Sequence, residues 1–195
     1  MCNSGKAELT VSLYVRRPLL AEATGLPQSS LVFGRDAKGK LSLVSDQSWC
    51  FNLADTPGCV VLVVARHQAV GVDIESVDRA ILNLDDFAAA FLSPVEQKHV
   101  LSLDESAKKS WVLKAWVLKE AYTKQLGMGL SYGFERITVD PDAEQPLIAI
   151  DGNRVDSPDY LVLWPKSHDY YMAVSAQGLV DGVYLKSLDQ VDFEV

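Results

Sequence analysis

The chain has 195 residues, 48% of them apolar and 23% charged, with a formal net charge of −8. That length suits one large domain or two small ones sharing a core. The acidic balance excludes sequence-independent nucleic-acid binding, and no apolar run approaches the ~20 residues of a membrane-spanning helix.

The N-terminal stretch MCNSGKAELT lacks the basic-then-apolar layout of a secretion signal, so the expected location is the cytoplasm. Residues 9–15 read as a strand or as the opening turn of a helix. Arg17–Ala23 reads as a short helix stopped near Gly25 and Pro27. Strand-like pieces follow at Leu31–Gly34 and Lys40–Val44, around a turn through Asp36–Gly39. Cys50–Leu53 and Cys59–Ala65 read as a hairpin turning at Thr56-Pro57-Gly58. The run CVVLVVA is apolar on both faces, which predicts a central strand. Ala69–Glu75 alternates, putting Val70, Val72 and Ile74 on the core face and Gly71, Asp73 and Glu75 on the other.

Helical text comes next. Ser93-Pro94-Val95-Glu96 carries an N-cap, a proline at the first helical position and the reciprocal capping glutamate. A longer helix spans about Glu105 to Leu126 and stops at Gly127, with Trp111 and Trp116 as core anchors. Strands return at Arg136–Val139, Leu147–Ile150, Tyr160–Trp164 and Tyr170–Ala176. The fold class is α+β in two halves, residues 1–68 and 69–178, with a weakly patterned tail over 179–195. Cys2, Cys50 and Cys59 and the three histidines lack metal-ligand spacing, so the thiols are expected reduced and partly buried, and a zinc site is set aside.

Two elements carry chemistry. On a strand, Asp73 and Glu75 project from one face about 6.5–7 Å apart, able to share a hard cation, which typically takes one or two carboxylates plus phosphate and water. On the long helix, Glu120 and Lys124 share a face at i, i+4, while Lys119 lies on a neighbouring line. Each element alone is also consistent with a solvated acidic strand face or a surface ion pair.

Together, GVDIE and WVLKEAYTK, with 47 positions between Asp73 and Glu120, resemble the signature of the surfactin-synthetase-activating (Sfp) type of 4′-phosphopantetheinyl transferases. FGRDAKGKL (33–41), FNLADTPG (51–58), Phe91–Glu96 and Gly127–Ser131 fit the same family in order, over about residues 10–178. The resemblance implies a 4′-phosphopantetheinyl transferase fold of two pseudo-related α+β halves. It implies transfer of the phosphopantetheine arm of coenzyme A to a serine of an acyl or peptidyl carrier protein, with release of 3′,5′-ADP. Asp73, Glu75 and Glu120 would hold Mg²⁺, or Mn²⁺ in its place. Glu120 would be the general base, Lys119 and Lys124 would stabilise phosphate charge, and Arg17 and Lys40 would contact coenzyme A.

Three departures from the family pattern stand out. Its Ser-His is Ala54-Asp55 here, so the Asp55 carboxylate either faces the 3′-phosphate or accepts N–H bonds in the turn before Pro57-Gly58. The proline after Gly-Lys is Leu41. The chain before Arg17 is short, so the first half is either incomplete or finished by another chain; a monomer is expected, with a dimer as the alternative. These departures motivate a second reading, a coenzyme A- or carrier-binding homologue without turnover. A docking patch for the carrier is expected beside the long helix at Lys108, Lys109 or Lys114.

Overall fold

A computed structural model describes residues 16–154, 159–163, 169–178 and 180–182. The segments expected at 9–15 and 179–195, most of the latter, lie outside the described residues. The chain opens with helix α1 over 16–24, then two antiparallel hairpins: β1 (Phe33–Arg35) with β2 (Leu41–Leu43), and β3 (Trp49–Thr56) with β4 (Cys59–Arg66). Strand β5 (Val70–Ser76) leads to helices α2 (Leu84–Ala89), α3 (Pro94–Val100) and α4 (Glu105–Gln125). A small sheet of β6 (Ile137–Val139), β7 (Leu147–Ile150) and β8 (Asn153–Arg154) follows, then β9 (Tyr160–Leu163) and β10 (Tyr170–Ala176). Strand β10 lies between β5 and β9, antiparallel to both, with Asp73 opposite Ala173 and Glu75 opposite Tyr171.

The layering explains the β5 alternation. Val72 and Ile74 pack with Ala54 and Val174 against the β3–β4 hairpin. The other face meets α4 so closely that a Cβ on Gly71 would stand 2.0 Å from the Ala121 carbonyl oxygen. Only glycine lets the strand approach the helix there. Helix α4 is buried on nearly every side, polar Lys119, Thr123 and Gln125 included, and Val112, Leu113, Val117, Leu118 and Ala121 are each fully enclosed. Asp104 caps its N-terminus by accepting from Ala107 N at 2.9 Å, and Gly127, at φ +69°, ends it. Helix α3 begins with the expected capping box of Ser93 and Glu96.

One expectation is corrected. β4 is not a central strand: among the described residues it pairs only with β3, and its side chains are half-buried. Both faces are apolar because each meets a different small cluster, Leu62 and Val64 one with Phe51, Val61 and Val63 the other with Val72. Cys50 and Cys59 are free and half-buried, as expected. Among the described residues no helix is long and apolar enough to cross a membrane.

Candidate active site

The seam between β5 and α4 brings together Asp73, Glu75, Glu120 and Lys124. Lys124 Nζ donates to Asp73 Oδ1 at 2.6 Å and stands 4.0 Å from Glu120 Oε2. Glu75 pairs with Arg79, four residues on, whose guanidinium also lies 5.1 Å from the Phe87 ring centre and 5.4 Å from that of Trp116. Burial pushes the Asp73 carboxyl above its ordinary range, and Lys124 pulls it back only in part. Glu75 is raised by burial against the opposing pull of Arg79. Glu120 is raised by burial too, with Lys124 opposing and Asp73 and Glu75 adding to the rise. Three carboxylates thus face two cations, leaving an uncompensated negative charge.

Asp73 Oδ2 is buried with no hydrogen-bond partner among the described residues. A buried carboxylate oxygen left bare costs free energy, so such an atom asks for a ligand. Among the described residues no three acidic, imidazole or thiol groups enclose a cation by themselves. Mg²⁺ does not need that, since it keeps waters and takes substrate phosphate oxygens beside one or two carboxylates. The all-oxygen donors and the bare Asp73 Oδ2 fit a hard cation in an open site.

Beside this seam lies a cleft of about 310 Å³ lined by Arg35, Lys38, Lys40, Asn52, Lys124 and the 127–129 turn. Its basic loop is built by Asp36, whose Oδ1 accepts from Lys38 N at 2.8 Å and Lys40 N at 2.9 Å. Lys38 Nζ donates to Leu126 O at 2.9 Å, and Lys40 Nζ to Val70 O at 2.6 Å and Gln125 O at 3.3 Å. Two cations therefore sit at the C-terminal end of α4, where its carbonyls and dipole favour positive charge. Burial lowers the Lys40 ammonium to about 8, with Cys50 and Asp36 opposing.

The structure brings Asp73, Glu75, Glu120, Lys124 and Lys40 to one place and leaves two expected residues out of it. Lys119 is fully enclosed, paired with Glu96 at 2.5 Å, because one step along the helix turns it by about 100° from Glu120. Arg17 donates to Gln28 O at 2.5 Å and Leu31 O at 2.8 Å and stacks on Phe33, bracing the first hairpin. Asp55 is exposed within β3, opposite Val60, so it is a strand residue and not a turn residue, and it is not among the residues lining the cleft. Lys108 is buried beside Asp85, and Lys114 reaches Asp142 at 3.3 Å, which leaves neither as a free docking cation. The sequence reading missed Arg35, Lys38, Asn52 and Arg79. The basic text RDAKGK was the available signal for the first two, and the i, i+4 spacing from Glu75 for Arg79.

A buried acidic seam beside a basic cleft is a donor set of a class suited to a phosphate-bearing ligand. Comparison with known proteins narrows the class. The family profile described as the 4′-phosphopantetheinyl transferase superfamily matches residues 69–175, more than half of the chain. A 4′-phosphopantetheinyl transferase of Bacillus subtilis is 25% identical over 179 residues, covering 90% of this chain and 77% of its own. The 4′-phosphopantetheinyl transferase psf-1 of Bacillus pumilus is 30% identical over 122 residues, 63% of this chain and 51% of its own. The Sfp transferase of Bacillus subtilis strain 168 is 26% identical over 160 residues, covering 82% of this chain and 69% of that relative. A solved holo-(acyl-carrier-protein) synthase of Bacillus anthracis, in complex with CoA (3′,5′-ADP), has a TM-score of 0.47 at 25% identity, covering 56% of this chain and 95% of that one. The chain belongs to the 4′-phosphopantetheinyl transferase superfamily and is an enzyme of that class.

Proposed function

We propose that this protein transfers the 4′-phosphopantetheine arm of coenzyme A to a serine hydroxyl of an apo acyl or peptidyl carrier protein, with Mg²⁺ and with release of 3′,5′-ADP. The observation that carries the reading is the bare, buried Asp73 Oδ2 in an acidic seam that opens onto the basic cleft. Asp73, Glu75 and Glu120 are the residues that would hold Mg²⁺, with Mn²⁺ as a substitute of the same oxygen-donor chemistry. When bound, the cation supplies charge neutralisation on the pyrophosphate.

The chain's own groups do the rest by position and charge. Arg35, Lys38 and Lys40 bind the anionic nucleotide end of coenzyme A in the cleft, and Lys124 stands between cleft and seam to balance charge on the transferring phosphate. The serine oxygen of the carrier forms a bond to the phosphorus that bears pantetheine. The bond from that phosphorus to the bridging oxygen breaks, and the electron pair leaves with 3′,5′-ADP. The Glu120 carboxylate takes the serine proton, directly or through a water. Lys119 and Arg17 have no part in these steps.

The division at residues 68 and 69 falls in the loop between β4 and β5, and the working unit is taken as a cytoplasmic monomer, to be checked by light scattering. The deciding experiment incubates an apo carrier protein with this protein, coenzyme A and Mg²⁺ and weighs the carrier by mass spectrometry. A gain of one phosphopantetheine, with 3′,5′-ADP in solution, is expected. Tight coenzyme A binding with no mass gain on any carrier would favour the non-catalytic homologue instead.

A further inference from the structure

Lys119 is sealed away from any phosphate, and its partners reveal another role. Its ammonium donates to Glu96 Oε2 at 2.5 Å, to Phe91 O at 3.1 Å and to Phe134 O at 3.1 Å. A lysine has three donors, and all three are used. Glu96 is equally committed: Oε2 also accepts from Ser93 N at 2.7 Å, and Oε1 accepts from Val139 N at 2.7 Å. The pair thus ties α4 to the start of α3, to the turn at Phe134 and to β6. At about 100° per residue, Lys119 lies nearly opposite Ala121, the residue that meets Gly71 of β5.

We propose that the buried Glu96–Lys119 pair is a positioning device that fixes the rotation of α4 about its axis, so that Glu120 and Lys124 present their head groups to Asp73 and Glu75. The need is geometric. A helix turn of about 20° carries a head group ~5–6 Å from the axis through ~2 Å. Misplacement by about 1 Å can cost a hundredfold in rate. Other polar contacts of α4, Ser110 with the Tyr171 hydroxyl at 2.8 Å and Gln125 with Asp159 at 3.2 Å and with Ser175, join it to the strand side, whereas the Lys119 ammonium is held by three acceptors on separate segments of the opposite side. A buried ion pair is a poor source of net stability, so its value here lies in orientation.

The inference rests on the transferase reading, and the test separates the two. Lys119→Met, Glu96→Gln and the double variant are compared for thermal melting, for coenzyme A affinity in metal-free buffer, and for kcat per folded molecule in carrier modification. Each single change should lower kcat about tenfold or more, with coenzyme A affinity within about twofold of the parent. The double variant should be no worse than the worse single, because residues in contact couple. A tenfold loss of coenzyme A affinity in Lys119→Met but not in Glu96→Gln would make Lys119 a phosphate ligand and overturn the proposal. So would lowered melting temperatures with kcat per folded molecule unchanged, the mark of a purely structural pair. If Lys119→Met fails to fold with Glu96 unpaired, Glu96→Gln and the double variant still decide the question. If the parent itself transfers nothing, the transferase reading falls. The pair is then judged by Mn²⁺ binding to the carboxylate seam, followed by electron paramagnetic resonance: a tenfold weakening in Glu96→Gln supports it and an unchanged affinity ends it.

Discussion

Two sites one residue apart on α4 obey opposite rules. At Lys119 every donor meets an acceptor, and the partner Glu96 is matched on both oxygens. At Glu120 the balance fails: three carboxylates with raised proton affinity share Lys124 and Arg79, and one oxygen of Asp73 has no partner among the described residues. Both sites are buried enough for polar groups to be expensive. The matched one behaves as structure and the mismatched one as a place waiting for a ligand. Burial of a charged motif residue therefore does not mark it as part of the chemistry; the state of its partners does.

The comparison is broken most severely by opening the matched site. Glu96→Ala leaves a buried ammonium with two carbonyls, and removing one partner of such a pair costs about 3–5 kcal/mol. Chemical denaturation should show that loss; a loss below about 1 kcal/mol would mean that the Lys119 pocket admits water. Opening the mismatched site should do the reverse. Asp73→Asn and Glu120→Gln should each slow carrier modification by about 10²–10³-fold, the range for one preorganised charge-stabilising group. Their melting temperatures should be no lower than the parent's, because each removes a charge that burial penalises. A variant that modifies carrier at the parent rate would remove that residue from the site.

A pH series sharpens the contrast. The three carboxyl pKa values are raised on folding, so the folded state holds those protons more firmly than the unfolded one. Their contribution to stability is present in acid and is lost as pH rises from the ordinary carboxylate range through the raised values. A divalent cation should then bind more tightly as pH rises above the ordinary carboxylate range and release protons on binding. Calorimetry of Mn²⁺ binding in buffers of different ionisation heat reads this directly, and a pH-independent affinity would contradict it.

Lys40 offers a smaller effect at the other end of the scale. Its ammonium, lowered to about 8 by burial, is charged below that value and neutral above it. The KM for coenzyme A should therefore rise as pH passes 8, by about tenfold, equivalent to ~1.5 kcal/mol for one hydrogen bond to a charged group. Lys40→Arg, which keeps its charge, should flatten the rise, and a rise that persists would assign it elsewhere. The smallest change is expected at Asp55, exposed on β3 and absent from the cleft lining. Asp55→His should shift the KM for coenzyme A by less than about twofold, the usual span for surface substitutions. A larger drop, specific for coenzyme A over its dephospho form, would place residue 55 at the 3′-phosphate.

The sequence by itself determined the local elements and the acidic half of the site. Alternation in GVDIE put Asp73 and Glu75 on one face of β5, the capping box began α3, and the spacing Glu120–Lys124 set one helix line. These follow from chain periodicity and from hydrogen bonds only a few residues long. Tertiary structure alone decided which side of α4 meets which neighbour. WVLKEAYTK lies in a helix enclosed on nearly every side, so no apolar stripe announces its orientation. Lys119 turns to Glu96, 23 positions away, and Lys40 reaches Gln125 O across 85 positions. The edge position of β4 among the described residues and the burial of Lys108 have the same origin: neighbours chosen by packing that no local pattern encodes.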